Sequence, residues 1–307
     1  MSTWIWLSLG AAFAQNLRSA VQKRLTATLS TGGATATRFL YGLPFAALYL
    51  AALLALRTEP GGALPAPTPA FALYTLVGAL AQIGATSLLL ATFATRSFAA
   101  GTTFSKTEGL QTVLFGYLVL GDALGPAALV GVGTTAAGVL LVSVARTGAA
   151  LPPEPGRRWR TVGLGLGSGA LFAVSAVCYR GASLALDADG IGGDVALRAA
   201  LTLVAALAVQ SLATGVTLGL REPGELRRVA LAWRAGLVAG GAGATASALW
   251  FTAFTLADAA LVKAVGSIEL VFALLASRFA FGERSSAGEI AGTLVVGIGI
   301  ALTVLSA

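Results

Sequence analysis

The chain has 307 residues, of which 56% are hydrophobic and only 11% charged, and its mean hydropathy is +0.84. Soluble domains carry roughly 25% charged residues, so this chain lacks the polar surface to cover a soluble globule and reads as integral membrane. It has no histidine and a single cysteine, Cys178, which excludes imidazole catalysis, an internal disulfide and a cysteine-cluster metal site.

A bilayer core takes about 20 helical residues, and ten runs meet that length: 3–21, 33–56, 70–94, 97–120, 126–145, 161–184, 193–219, 233–256, 258–281 and 286–306. The first begins apolar at Trp4 with no basic stretch before it, so it reads as a span rather than a cleaved signal. It carries Gln15, Arg18 and Gln22 on one stripe, a face too polar for lipid. On the second, Arg38, Tyr41 and Phe45 share a face beside Pro44; Gln82 and Thr86 align on the third, and Ser247, Trp250 and Phe254 on the eighth. Strands are not expected, because the runs are too long and do not alternate. The connectors hold the proline and charge, as in "RTEPGGALPAPTP", "RTGAALPPEPGRRWR" and "REPGELRR". "GLGLGSG" at 163–169 and "GVGTTAAG" at 131–138 follow no strand, so they read as small-residue helix packing rather than nucleotide loops.

The chain repeats itself. Arg38 and Arg198 are 160 residues apart, as are Ser87 and Ser247, and "LGD" at 120–122 precedes "FGE" at 281–283 by 161. Lys106 and Lys263 are 157 apart, so a short insertion or deletion lies nearby. The expected fold is therefore all-α integral membrane, with ten transmembrane helices as two inverted five-helix repeats. Residues 1–145 form the N-terminal repeat, 146–160 an Arg/Pro-rich linker and 161–307 the C-terminal repeat. An odd number of spans per half inverts the second half, an arrangement typical of secondary transporters.

The net charge of +7 does not point to nucleic acid, because the arginines lie in connectors. Lys23, Arg24, Arg96, Arg146, Arg157, Arg158, Arg160, Arg221, Arg227, Arg228, Arg234 and Arg284 fall on one set of alternating loops, against Arg57 on the other. The positive-inside rule puts that set in the cytoplasm and both termini outside.

This pattern, with "LGD" or "FGE" closing the fourth span of each half before a small-residue fifth span, resembles the drug/metabolite transporter superfamily, nearest its EamA-type branch. The resemblance covers essentially the whole chain. It implies a multi-pass protein of the bacterial cytoplasmic (inner) membrane that moves small organic metabolites by alternating access. The branch that handles phosphorylated sugars and nucleotide sugars commonly places basic residues on the fourth and ninth spans, where Lys106 and Lys263 fall. Lys263 is followed by Ala264 rather than by an arginine.

An ionisable group at mid-bilayer costs about 2.5–3.5 kcal/mol on insertion scales, so it normally faces water or a partner. The candidates are Arg38, Lys106, Glu108, Arg198, Lys263 and Glu269. On an unbroken helix Lys106 and Glu108 lie about 200° apart and cannot share a face. The expectation is that Lys106 and Lys263 face a cavity with Gly109 and Gly266 beside them, while Glu108 and Glu269 pair with Arg38 or Arg198 or carry protons. Interhelical glue, and lysines snorkelling from a span end, are the alternatives left open.

The expected substrate-binding set is Lys106, Lys263, Arg38, Arg198, Gln15, Gln82, Trp250 and Tyr41, with Glu108 and Glu269 as a proton-coupling or buried pair. Such a basic lining suits a small organic metabolite with an anionic group, amino acids and organic or phosphorylated acids included. No catalytic residue, metal or cofactor is expected, and the chain is not read as an enzyme, since it has no nucleophile–base pair or acidic dyad. A channel or non-transporting scaffold is the competing class. The expected partners are the substrate and membrane lipid, with a homodimer compatible with the sequence.

Overall fold

The computed structural model describes residues 2–56, 65–93, 104–147, 155–186, 194–272 and 286–306. Among them the secondary structure is entirely helical: α1 (Thr3–Leu25), α2 (Thr31–Ala55), α3 (Pro69–Phe93), α4 (Glu108–Leu120), α5 (Pro126–Thr147), α6 (Pro155–Ala185), α7 (Val195–Arg221), α8 (Pro223–Leu231), α9 (Trp233–Leu256), α10 (Ala259–Gly266) and α11 (Ala287–Leu305). Seven of these, α2, α3, α5, α6, α7, α9 and α11, are long and apolar enough to cross a membrane. Large apolar side chains such as Leu48, Leu220 and Leu305 are mostly exposed, the arrangement lipid favours and water penalises. The chain is thus an all-α, multi-pass membrane protein.

Helix ends follow local chemistry. Ser30 caps α2 by accepting from Gly33 N, and Ser286 with Glu289 forms a capping box on α11. The glycine of "LGD" has a mechanical role. Gly121 takes φ 72°, and its N–H and that of Asp122 return to the carbonyls of Tyr117 and Gly116, closing α4 in a left-handed cap. "FGE", the linker core at 148–154 and Arg57, Arg96 and Arg284 lie outside the described residues.

Two of the expected spans are not single uninterrupted helices. Before α4, a turn at Lys106–Thr107 closes with Thr107 N donating to Phe104 O. After α10, Ser267 N and Ile268 N donate to Ala264 O and Val265 O, and the helix resumes at Glu269. Both are tight three-residue turns inserted in a helical path. The rest of these two expected spans, 97–103 and 273–281, lies outside the described residues. The amphipathic α8, in the "REPGELRR" connector, was not expected.

The chain divides into two compact units. One holds 84–177 and 258–307, the other 2–83 and 178–257, so each draws on both halves of the sequence. In the first unit α5 and α11 pack backbone to backbone. A Cβ on Gly131 would lie 2.6 Å from Thr303 N, one on Gly138 2.5 Å from Val296 N, and one on Gly299 2.3 Å from Thr135 N. Only glycine permits such an approach, the usual membrane solution to helix pairing. In the second unit α1 packs on α9, and α2 on α7 and α9. Tyr41 lies across Gly236 and Gly240 there, and Glu225 of α8 accepts from Ser30 N.

Candidate functional site

The first unit brings four of the predicted residues together, and in crossed fashion. Lys106 Nζ pairs with Glu269 Oε1, and Lys263 Nζ lies 2.5 Å from Glu108 Oε1. The second contact is ionic rather than an aligned hydrogen bond. Each lysine thus finds the glutamate from the other half of the sequence. The expectation that the glutamates pair with Arg38 or Arg198 is corrected. The 200° separation assumed an unbroken helix, whereas the turns at 106–107 and 267–268 reset the direction of the side chains on either side.

Local sequence explains the geometry. Thr107 Oγ1 donates to Phe104 O, competing with continuation of the helix. Gln111 Nε2 then donates to Thr107 Oγ1, holding the turn against α4. Both glutamates fall at the start of the resumed helix, Glu108 in the first turn of α4 and Glu269 directly after the 267–268 turn, where the helix dipole favours a carboxylate. Gly169 of α6 brings its backbone against the turn, since a Cβ there would lie 2.9 Å from Ser105 O.

The two pairs are not equally hidden. Lys106 is 36% and Glu269 13% exposed, whereas Lys263 and Glu108 are 18% and 19%. Beside the turn, an added Cβ on Gly109 would meet nothing within 4 Å.

The second unit holds the remaining predicted residues in separate roles. Gln15 accepts from Trp250 Nε1 at 3.2 Å, and Trp250 stacks on Phe254 with ring centroids 5.9 Å apart. Gln82 Oε1 accepts from Gln210 Nε2 at 2.7 Å and from the Tyr179 hydroxyl at 3.2 Å. Tyr41 donates to Val229 O and lines a pocket of about 170 Å³ with Leu40, Leu226, Val229 and Ala230. Arg38 and Arg198 are both 94% buried, each being 6% exposed.

Three functional-looking residues escaped the sequence reading. Tyr179 and Gln210 complete the Gln82 network, and Gln210 also donates to Tyr179 at 3.1 Å. Arg180 donates to the carbonyls of Phe254 and Ala257, both at 2.8 Å, capping α9. The signal was present, since "CYR" and the lone Gln210 are polar intrusions in apolar spans. The lysine–glutamate stretches drew attention first because they recur.

Neither the family models nor the curated proteins give a match to this chain. Among solved structures, one described as "Crystal structure of protein" is similar, with a TM-score of 0.69 and 18% identity over 99% of this chain and 97% of that one. At that identity the likeness shows a shared fold.

Proposed function

We propose that the chain is a secondary transporter of small organic metabolites bearing an anionic group, working by alternating access. The observation that carries this reading is the crossed pairing of Lys106 with Glu269 and Lys263 with Glu108 at two helix interruptions. A scaffold needs neither buried charge nor interrupted helices; a carrier uses both, because broken helices expose polar groups to a cargo at membrane depth.

In this reading each lysine is held by a carboxylate when the site is empty. An arriving carboxylate or phosphate takes the place of that internal anion, so binding is an exchange of counter-ions and adds little net buried charge. Lys106, the more exposed lysine, meets the cargo first. The displaced Glu269 then takes a proton or turns to another donor, which admits either proton coupling or exchange.

The ten-span count, the inverted repeats and membership of the drug/metabolite transporter superfamily, EamA-type, belong to the same proposal. They rest on the near-constant sequence offsets and on the resemblance of "LGD" and "FGE". So does the placement in a bacterial inner membrane with both termini outside, which rests on the loop arginines. A C-terminal alkaline phosphatase fusion is then active, and a fluorescent protein fusion dark; the opposite pattern refutes the orientation.

A thermal-shift screen of the purified chain against amino acids, organic acids and sugar phosphates tests the cargo class, since a ligand of the folded state raises the melting temperature. Anionic members of the panel raise it, and Lys106→Ala removes the effect. A panel that acts only through its cationic or neutral members overturns the reading.

A further inference from the structure

α8 lies where two spans end. α7 finishes at Arg221 and α9 starts at Trp233, and both are long and apolar enough to cross a membrane. The nine residues of α8 cover about 14 Å, less than half of a bilayer core, so this helix rests at the boundary rather than crossing it. Two contacts fasten it to α2: Glu225 accepts from Ser30 N, and the Tyr41 hydroxyl donates to Val229 O at 3.1 Å.

The faces of α8 divide by chemistry. Glu225 and Val229 are buried, and Leu226 packs toward α7, where a Cβ on Gly219 would meet Leu226 Cδ1 at 3.5 Å. Arg227, Arg228 and Leu231 are exposed. Arg228 keeps to the Glu225 side, 3.3 Å from that carboxylate. Arg227 falls on the other flank, three residues before Ala230 and so beside it on the helix surface. It makes no ion pair among the described residues. Ala230 belongs to the pocket of about 170 Å³ that Leu40, Tyr41, Leu226 and Val229 complete. Its lining is aliphatic apart from Tyr41, whose hydroxyl is engaged with Val229 O.

The surroundings suit an anion with an apolar tail. From Leu220 to Arg234 the chain carries four arginines, Arg221, Arg227, Arg228 and Arg234, against two glutamates, and one of these, Glu225, is buried and already bonded. Leu220, Leu231 and Trp233 are exposed among them, and the Arg234 guanidinium lies 5.3 Å from the centroid of the Trp233 ring. Arginine, tryptophan and leucine mixed at a span end match the headgroup layer of a bilayer, and the surplus of cations favours its anionic members. The pocket is smaller than the roughly 300–1,000 Å³ that encloses a whole small molecule, and an acyl chain needs only to enter it in part. We infer that Arg227 and the α2–α8 pocket form a site for an anionic phospholipid, its phosphate on Arg227 and one acyl chain between Leu40, Leu226 and Ala230. Tyr41, expected to meet the cargo, then meets lipid. The site rests on the membrane class and on these residues, and it does not depend on the transport reading.

The test is native mass spectrometry of the full chain in detergent, titrated with phosphatidylglycerol and separately with phosphatidylcholine of the same acyl chains. Wild type binds the anionic lipid more tightly. Arg227→Gln weakens phosphatidylglycerol binding about fivefold, the factor that one basic residue supplies at an anionic surface, and leaves phosphatidylcholine binding unchanged. Ala230→Leu fills the pocket and weakens both lipids. Arg160→Gln is the control, because Arg160 is an exposed arginine beside an exposed tryptophan, Trp159, in the other unit, and it leaves both lipids unchanged. Arg227 is exposed, so its replacement does not threaten folding. Equal binding of the two lipids, no effect of Arg227→Gln, or an equal loss in Arg160→Gln overturns the site. So does a dimer that Ala230→Leu abolishes, which would give the pocket to a second copy of the chain. Each of these results leaves the transport proposal standing.

Discussion

Removing one glutamate from a crossed pair strands the opposite lysine, and the two pairs should not respond alike. Breaking a fully buried ion pair costs about 3–5 kcal/mol, while an exposed pair is worth about 0–1 kcal/mol. Lys263 and Glu108 are only 18% and 19% exposed, so Glu108→Gln should cost about 2–3 kcal/mol, below the fully buried limit. Lys106 is 36% exposed and can turn toward water once Glu269 is gone, so Glu269→Gln should cost about 1–2 kcal/mol. The assay is a pair of double-mutant cycles, Lys263→Gln with Glu108→Gln and Lys106→Gln with Glu269→Gln, by reversible unfolding in detergent. Each cycle isolates the pairwise energy from the two single effects. A coupling below about 0.5 kcal/mol in both cycles, or a larger coupling for Lys106–Glu269, would refute the reasoning.

Helix packing yields a second contrast. Gly299→Val drives a side chain into Thr135 N, where even a Cβ would lie at 2.3 Å, and should cost about 1–3 kcal/mol in thermal unfolding. Gly133 lies on the same helix pair with open space at its Cβ, so Gly133→Ala should be neutral or stabilise by up to about 1 kcal/mol. Gln210→Leu removes the donor to both Gln82 and Tyr179 and should destabilise by about 1–3 kcal/mol by leaving them underbonded. An unchanged melting temperature in that variant would show the network to be dispensable.

The membrane class and the long helices were legible because hydropathy and span length are local properties. α9 begins and ends at the expected 233 and 256, and α5 within two residues of expectation. The interruptions were not legible. They depend on Thr107 choosing a backbone carbonyl over the helix, and on a turn at Ser267–Ile268 that no proline announces. That single miss misdirected Glu108 and Glu269, since every angular argument assumed a continuous helix. The lysines and glutamates themselves were found because charge inside apolar runs is rare and these runs recur. Tyr179 was missed because an aromatic in an apolar span looks like packing until its hydroxyl is followed to Gln82.

The central claim is that lysines freed from internal glutamates carry an anionic cargo across the membrane. Counterflow in proteoliposomes tests it most directly, with unlabelled anionic metabolite inside and the labelled compound outside. Wild type should accumulate label transiently, Lys106→Ala should lose most of that flux, and the Lys106→Ala, Lys263→Ala double variant should match empty liposomes. Wild-type flux in the double variant, for every compound that the wild type moves, would contradict the account.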